Sequence, residues 1–384
     1  MSMAFTYRIA TEADRDKYID FANLVFSMAH VPHDFKALLP KVYGDGKMTA
    51  QMQNLALDDT GNVRGLVAVM PGEMTVLDET IKTGYVGTVS VHPYARGEGH
   101  MKKLMHMAMD GMRASGCDMA MLGGQRQRYE YFGFTSGGIS MTYTVEKANV
   151  RHALSGVDVS EVELREIGAG DREVIADACA LHAQKPCRGA RTPETFHEIA
   201  SSWLSKPMAI FKNWVFVGYL IIGAYGDSRS ISEFVLADEA LAGAVVKKLF
   251  EQKGLESCKI ACAAFDLGLR RVLSRFCEDS SVHDCEQLAI FHFPKVIGAF
   301  LKLKASYDRL EDGVRSFVID RQPLTISVKG NEVAVTAEAP DGALQLTAMD
   351  AQFLFFGRDG QLYGESLPMG WGQLPLYLDS ADHF

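Results

Sequence analysis

The chain has 384 residues, 47% of them hydrophobic and 23% charged, which is enough apolar mass for two or three globular units that stay soluble. A net charge of −9 disfavours nucleic acid or anionic membrane as the main partner, and the most apolar run, "WVFVGYLIIGAY", is about half the length that a membrane span needs. The N-terminus has no basic start followed by an apolar core, so the cytoplasm is the expected location; seven cysteines without a CxxC pair, and no His cluster at ligand spacing, indicate neither a disulfide framework nor a metal site.

Along the chain, the first stretch that carries chemistry is "GYVGTVSVHPYARGEGHMKKLMHMAMDGM". "GYVGTVSV" alternates β-branched and small residues as a buried strand does, and Pro93 ends the ladder because it has no N–H. After the turn "YARGEG", apolar residues recur at Met101, Leu104, Met105, Ala108 and Met112, which predicts a helix with one stripe on a core. The turn therefore stands at a helix N-terminus, where free N–H groups and the positive end of the dipole converge. Gly97 and Gly99 let the backbone approach a ligand, and Arg96 adds a fixed charge, so the turn is suited to phosphate. Downstream, "DMAMLGG" reads as a strand running into a turn, followed by "QRQRYEYFGF" with Tyr129 four residues before Gly133.

A strand followed by R-x-x-G-x-small at a helix start resembles the acetyl-CoA pyrophosphate signature of the GNAT N-acetyltransferases, and Tyr129 to Phe134 resembles their Y-x-x-x-G-F segment. The departure is Met101, where that family usually has Gly or Ala. The resemblance implies that Arg96, Gly97, Glu98, Gly99, His100, Met101 and Lys102 hold the pyrophosphate. It also implies that main-chain groups of Val89, Ser90 and Val91 pair with the pantetheine arm on a strand splayed from its neighbour, that Gly124 and Gln125 complete the cofactor site, and that Tyr129 reaches the sulfur. A phenol near pKa 10 is a weaker acid than a thiol near 8.5, by about 2 kcal/mol, so hydrogen bonding to the departing thiolate is the larger part of such a role. In such a fold the region "DKYIDFANLVFSMAHVPHDF" would face the acetyl group, and Phe26, His30 and Asp34 could wall an amine pocket, although residues of these types are more often core or surface.

A boundary is expected near residue 148. Beyond it a weak repeat appears: a shift of 144 residues sets Val91 on Val235, Gly99 on Gly243, Phe132 on Phe276 and Tyr129 on Leu273. Ala240 stands where the first copy has Arg96, in the acidic turn "LADEALAG", which would repel a pyrophosphate. From "FHFPKVIGAFLKLKASY" onward the pattern changes to a helix followed by "SFVIDR", "LTISVKG", "NEVAVTAEA" and "ALQLTAMDAQFLFFG", read as β-hairpins turning at Lys329-Gly330-Asn331.

This order resembles the Eis (enhanced intracellular survival) acetyltransferases, which have an active GNAT domain, a degenerate one, a sterol-carrier-like domain and a terminal phenylalanine, here Phe384. The expected fold is thus α+β (mixed α/β): GNAT-like domains 1–148 and 149–287 with mixed, splayed sheets, then a sterol-carrier-protein-like domain 288–384. The resemblance implies acetyl-CoA as co-substrate, amines such as aminoglycosides, polyamines or lysine side chains as acceptors, and a homo-oligomer, specifically a hexamer. No Glu or His adjoins the first-domain motifs as a base, and the resemblance supplies the carboxylate of Phe384. With a pKa of about 3.5 against an ammonium near 10, it would orient the amine and relay its proton through water. Two other classes compete: a lipid-binding protein using the third domain, and a non-catalytic acetyl-CoA sensor. The intact Arg96, Gly99 and Tyr129 set weighs against the lipid reading, as do the polar alternate positions of "SVKGNEVAVTAEA".

Overall fold

The computed structural model describes residues 5–29, 31–223, 229–360 and 367–384, built on three β-sheets. The first sheet runs in the order Thr6–Ile9, Gln53–Leu57, Val63–Val76, Glu79–Val91, Met119–Leu122, Glu286–Ile290, Thr135–Gly137, with Cys187–Gly189 added beside the outer end of Val63–Val76. The second runs Asp279–His283, Ser140–Glu146, Ser257–Ala263, Ser230–Leu236, Val215–Gly223, Lys206–Lys212, Val162–Glu166. The third is a small sheet of Glu332–Thr336, Gln322–Lys329, Gly313–Ile319 and Leu344–Leu346. Among the described residues, no helix is long and apolar enough to cross a membrane.

Over the described residues the chain crosses between the first two sheets four times, since Cys187–Gly189 returns briefly to the first. Ser140–Glu146 lies inside the second sheet and Glu286–Ile290 inside the first, an exchange that a linear division at 148 and 287 does not contain. Burial explains why Glu286–Ile290 belongs where it does. Leu288 and Ile290 join the large core shared by the first sheet and the Phe293–Ala305 helix, while Ala289 joins the cluster under the His100–Ala114 helix, so both faces of this strand are covered. The second sheet keeps separate cores of its own.

The first sheet's central pair is parallel only where Thr83, Gly84 and Tyr85 meet Met119, Ala120 and Met121. Beyond Tyr85 the two strands part, and a bulge bends Glu79–Val91 further: Leu66 pairs with Ser90 but Ala68 with Gly87. Thr88 within the bulge has φ of 44°, uncommon for a β-branched residue, and its hydroxyl is held 2.8 Å from that of Tyr43.

The third region corrects one sequence expectation. "ALQLTAMDAQFLFFG" contributes only Leu344–Leu346 as strand and then becomes the Ala348–Phe356 helix, because Thr347 caps the helix by accepting from the Asp350 N–H. The capping residue and the apolar run after it outweigh the local alternation. The Gln322–Lys329 and Glu332–Thr336 hairpin forms as its turn residues require, with Gly330 at φ 58° and Asn331 at 72°. The final segment returns across the core through buried Leu374, Leu376 and Leu378 and ends against Glu79–Val91.

Candidate active site

The turn at Arg96 has the shape its residues call for. Gly97 and Gly99 have φ of 85° and 82°, and a Cβ on either would meet nothing within 4 Å, so the backbone is open to a ligand. Gly99 caps the 15-residue His100–Ala114 helix, and Arg96, Glu98 and Lys102 are exposed around it. His100 is different: 2% exposed, it sits with Nδ1 2.8 Å from the Tyr7 hydroxyl and Nε2 3.1 Å from a Glu98 carboxylate oxygen. Its side chain therefore fixes the helix start from inside and draws the Glu98 charge toward itself. Met101, the departure from the family pattern, lies partly buried against the cluster of Leu104, Met105 and Ala108. Lys102 stands 4.7 Å from the centroid of the Tyr131 ring.

Across the gap, Gly124 follows the end of Met119–Leu122, and Gln125 caps the short Arg126–Tyr129 helix. The Tyr129 ring lies over Gly124, where a Cβ would come within 2.6 Å of Cε2. Burial pushes the phenol of Tyr129 above its ordinary value, more than nearby Arg128 offsets, so it is a hydrogen-bond donor more than an acid. Gln287, on the exchanged strand, donates to the Gly124 carbonyl at 2.5 Å. Its own buried Oε1 has no partner among the described residues, leaving an open acceptor beside the gap.

The two faces of Glu79–Val91 separate two sets of residues. Gly84 and Val86 face the His100–Ala114 helix, as shown by Met112, whose sulfur would lie 2.3 Å from a Cβ on Gly84. Tyr85 and Gly87 face the other way, toward the chain's last residues. The Phe384 ring lies directly on Gly87, with Cδ1 2.1 Å from where a Cβ would be, so only glycine fits. Tyr129 thus lies on Gly124, just past the end of Met119–Leu122, and Phe384 lies on Gly87 of the strand that parts from it, which Val89, Ser90 and Val91 continue.

Of the amine-pocket candidates, Phe26 joins an aromatic series through Phe35 at 5.0 Å and Tyr43 at 5.7 Å from Phe35, which reaches Phe384 at 6.1 Å. Asp34 instead caps the Phe35–Leu38 turn, accepting from Lys36. His30 lies outside the described residues.

Several site neighbours were not foreseen. A carboxylate oxygen of Phe384 accepts from the Trp203 indole at 3.4 Å, and Lys41 donates to the carbonyls of Ala381 and His383. His383 stacks on Tyr85 at 5.4 Å, with Nδ1 2.8 Å from a Glu286 oxygen and Nε2 3.1 Å from the Leu378 carbonyl. Both ring nitrogens face acceptors, which only the doubly protonated ring satisfies. Burial opposes that charge, but Glu286 outweighs it and the His383 pKa is raised above 6.5. Behind the tail, ligand-type atoms of His182, Glu233 and Asp379 lie within 4.8 Å of one another. Lys185 and Arg191 already supply the countercharge there, and the two nitrogens of His182 face the Tyr219 hydroxyl and the Gly189 carbonyl, so the donor set is that of an ion-pair network and does not fit a metal.

Residues 6–137 match the family of acetyltransferase (GNAT) domains. Among curated proteins, no sequence matches this one. Among solved structures, a GCN5-related N-acetyltransferase from Kribbella flavida superposes with a TM-score of 0.69 at 15% identity, covering 100% of this chain and 99% of that one. A conserved protein of unknown function from Enterococcus faecalis V583, described as a probable N-acyltransferase, gives 0.69 at 14% identity with 100% of both chains covered. Eis1 from Mycobacterium abscessus gives 0.63 at 15%, covering 99% of this chain and 100% of that one. The α+β fold of the whole chain is therefore one that recurs, and residues 6–137 form a domain that matches the GNAT acetyltransferases.

Proposed function

We propose that the chain is an acetyl-CoA-dependent N-acetyltransferase of the Eis kind, carrying acetyl to a primary amine by direct attack on the thioester. One observation carries this reading: the opening between Glu79–Val91 and Met119–Leu122 has an anion cradle on one face and Phe384 on the other. Acetyl-CoA would place its pyrophosphate at Arg96 and the N–H groups from Gly97 to Lys102, and its pantetheine along Val89, Ser90 and Val91, with Gly124 and Gln125 on the far lip. The amine approaches from the Phe384 face. Its lone pair forms the C–N bond, the tetrahedral adduct collapses with cleavage of C–S, and the thiolate accepts a hydrogen bond from the Tyr129 hydroxyl while it takes its proton from solvent water. The amine's proton leaves through water toward the carboxylate of Phe384.

The catalytic unit in this reading is residues 1–148, completed by the strand Glu286–Ile290. Segments 149–287 and 288–384 are a GNAT-like and a sterol-carrier-like domain without cofactor chemistry. By the same likeness the acceptors are aminoglycosides, polyamines or lysine side chains, and the assembly is a homohexamer, which sedimentation would measure.

Transfer of radiolabelled acetyl from acetyl-CoA to a mixed panel of such amines tests the reaction, and no transfer to any of them would reject it. Adding one glycine after Phe384 moves the carboxylate by about 3.6 Å. Most of kcat/KM for the amine should be lost while acetyl-CoA binding is kept, and a fully active extended chain would remove Phe384 from the mechanism.

A further inference from the structure

Residues 379–384 are held in an unusually charged seat. Asp379 pairs with Lys185, whose side chain is 11% exposed, and Asp382 pairs with Arg191, whose side chain is fully buried. Arg191 binds both oxygens of Glu233 at 3.0 and 2.8 Å and both oxygens of Asp382 at 2.9 Å, so one guanidinium joins the second sheet to the tail. Glu233 also accepts from the Tyr219 hydroxyl at 2.5 Å, and His182 lies 3.4 Å from it. On the opposite wall, Lys41 of the first domain donates to the carbonyls of Ala381 and His383, the negative end of the short Ser380–Asp382 turn. A Cβ on Gly189 would lie 2.7 Å from the Asp382 carboxyl carbon, so the fit is close as well as charged.

Without the tail, this seat would hold Lys185 and Arg191 against Glu233, with Asp266 near Lys185 as the other acid. The tail brings Asp379 and Asp382 to them. Burial alone would push the Asp382 carboxyl up, yet Arg191 outweighs it and holds that group below its ordinary value. Such a pair contributes little net stability relative to a well-packed apolar core, and its best use is to fix one register. The register fixed here is the one that lays Phe384 on Gly87, at the opening in the first sheet.

We infer that the second GNAT-like half serves as a receptor for the acidic segment 379–384, with Lys185 and Arg191, and Lys41 from the first half, acting as positioning residues that hold Phe384 at the acyl-transfer opening. The inference rests on the proposed transferase reading for what happens at that opening, and on the geometry of the seat for everything else. It assigns a role to a domain whose turn cannot hold a cofactor.

The test uses the full-length chain with Asp382→Asn, which keeps shape and removes one charge. Lys41→Met asks the same question from the other wall should the first variant fail to fold, and Asp279→Asn, an exposed change on the far edge strand of the second sheet, is the control. Hydrogen exchange of residues 379–384 is read by mass spectrometry, beside the acetyl-CoA Kd and the amine kcat and KM. Expected are exchange at least tenfold faster in the tail, acetyl-CoA Kd within twofold of wild type, and amine kcat/KM at least tenfold lower, with the control unchanged. A loss of folding alone would instead lower cofactor binding and turnover together. Unchanged tail exchange in both variants overturns the receptor. Faster exchange with wild-type transfer overturns the positioning role and leaves the transferase reading intact, whereas a wild-type chain that transfers nothing while its tail stays protected overturns the transferase reading.

Discussion

The chain contains strand, turn, helix and strand twice, and the two turns meet anions in opposite ways. In both copies a parallel pair touches briefly and then parts: Thr83 to Tyr85 with Met119 to Met121 in the first, Ser230 and Ile231 with Lys259 and Ile260 in the second. The opening is therefore a property of the scaffold and survives in both. The turns differ. In the first, Gly97 and Gly99 leave the N–H groups facing open space beside Arg96. In the second, Asp238 caps the Glu239–Leu241 turn and accepts from Ala240 N at 3.0 Å, so an internal carboxylate already occupies a site where a phosphate oxygen would go. Gly243, the counterpart of Gly99, lies inside the Ala242–Lys253 helix and has lost the capping geometry. On the proposed reading, fold and chemistry separate here, and a few turn residues decide which copy can hold a cofactor.

The largest effect that could break this comparison is at Tyr129. Its counterpart Leu273 is a core residue with no exposure, so the donor at the gap exists only in the first copy. Tyr129→Phe keeps the ring on Gly124 and deletes the hydroxyl; kcat should fall by roughly 10²-fold with acetyl-CoA affinity nearly unchanged. Steady-state kinetics giving near-normal turnover would return Tyr129 to a packing role.

Next comes the cradle. Arg96→Glu places a like charge at the pyrophosphate and should raise the acetyl-CoA Kd at least tenfold, or about 1.4 kcal/mol. Calorimetry on the wild-type chain should give one site per chain, because the second turn is self-occupied. Two sites, or an unchanged Kd in the variant, would erase the distinction between the copies. The titration needs the whole chain, since residues 149–287 alone lack Ser140–Glu146, which pairs with both Ser257–Ala263 and Asp279–His283.

Much of this contrast was legible beforehand, since the placement of Arg96, Gly97, Gly99 and Tyr129 is set by local geometry that spacing reveals. The acidic "LADEALAG" was legible as repulsive to phosphate, although not as a cap. What escaped was everything set by long-range pairing. The exchange of Ser140–Glu146 for Glu286–Ile290 leaves no local trace, because a strand's burial pattern does not name its partner. Gln287, His383, Lys185 and Arg191 carry no motif, and their roles arise only when segments far apart in the chain meet, as Arg191 and Asp382 do. Gly87 could be read as a strand glycine, whose usual meaning is close approach by another group, but not as the seat of Phe384.

The smallest expected effect sharpens the comparison from the other side. Asp238→Ala removes the carboxylate that caps the second turn and frees the Ala240 N–H. Loss of such a cap typically costs about 1 kcal/mol, and denaturant unfolding of the second sheet's cooperative unit would read it as a lower midpoint. The freed turn should still bind no coenzyme A. Ala240 offers no cation in place of Arg96, Glu239 remains beside it with its side chain against Gly268, and Leu241 is already helical where Gly97 turns the backbone open. The calorimetric stoichiometry should therefore stay at one site per chain while stability falls. A second, micromolar site appearing in this variant would mean that a single carboxylate, and not the loss of Arg96 and the two open glycines, is what silences the second copy.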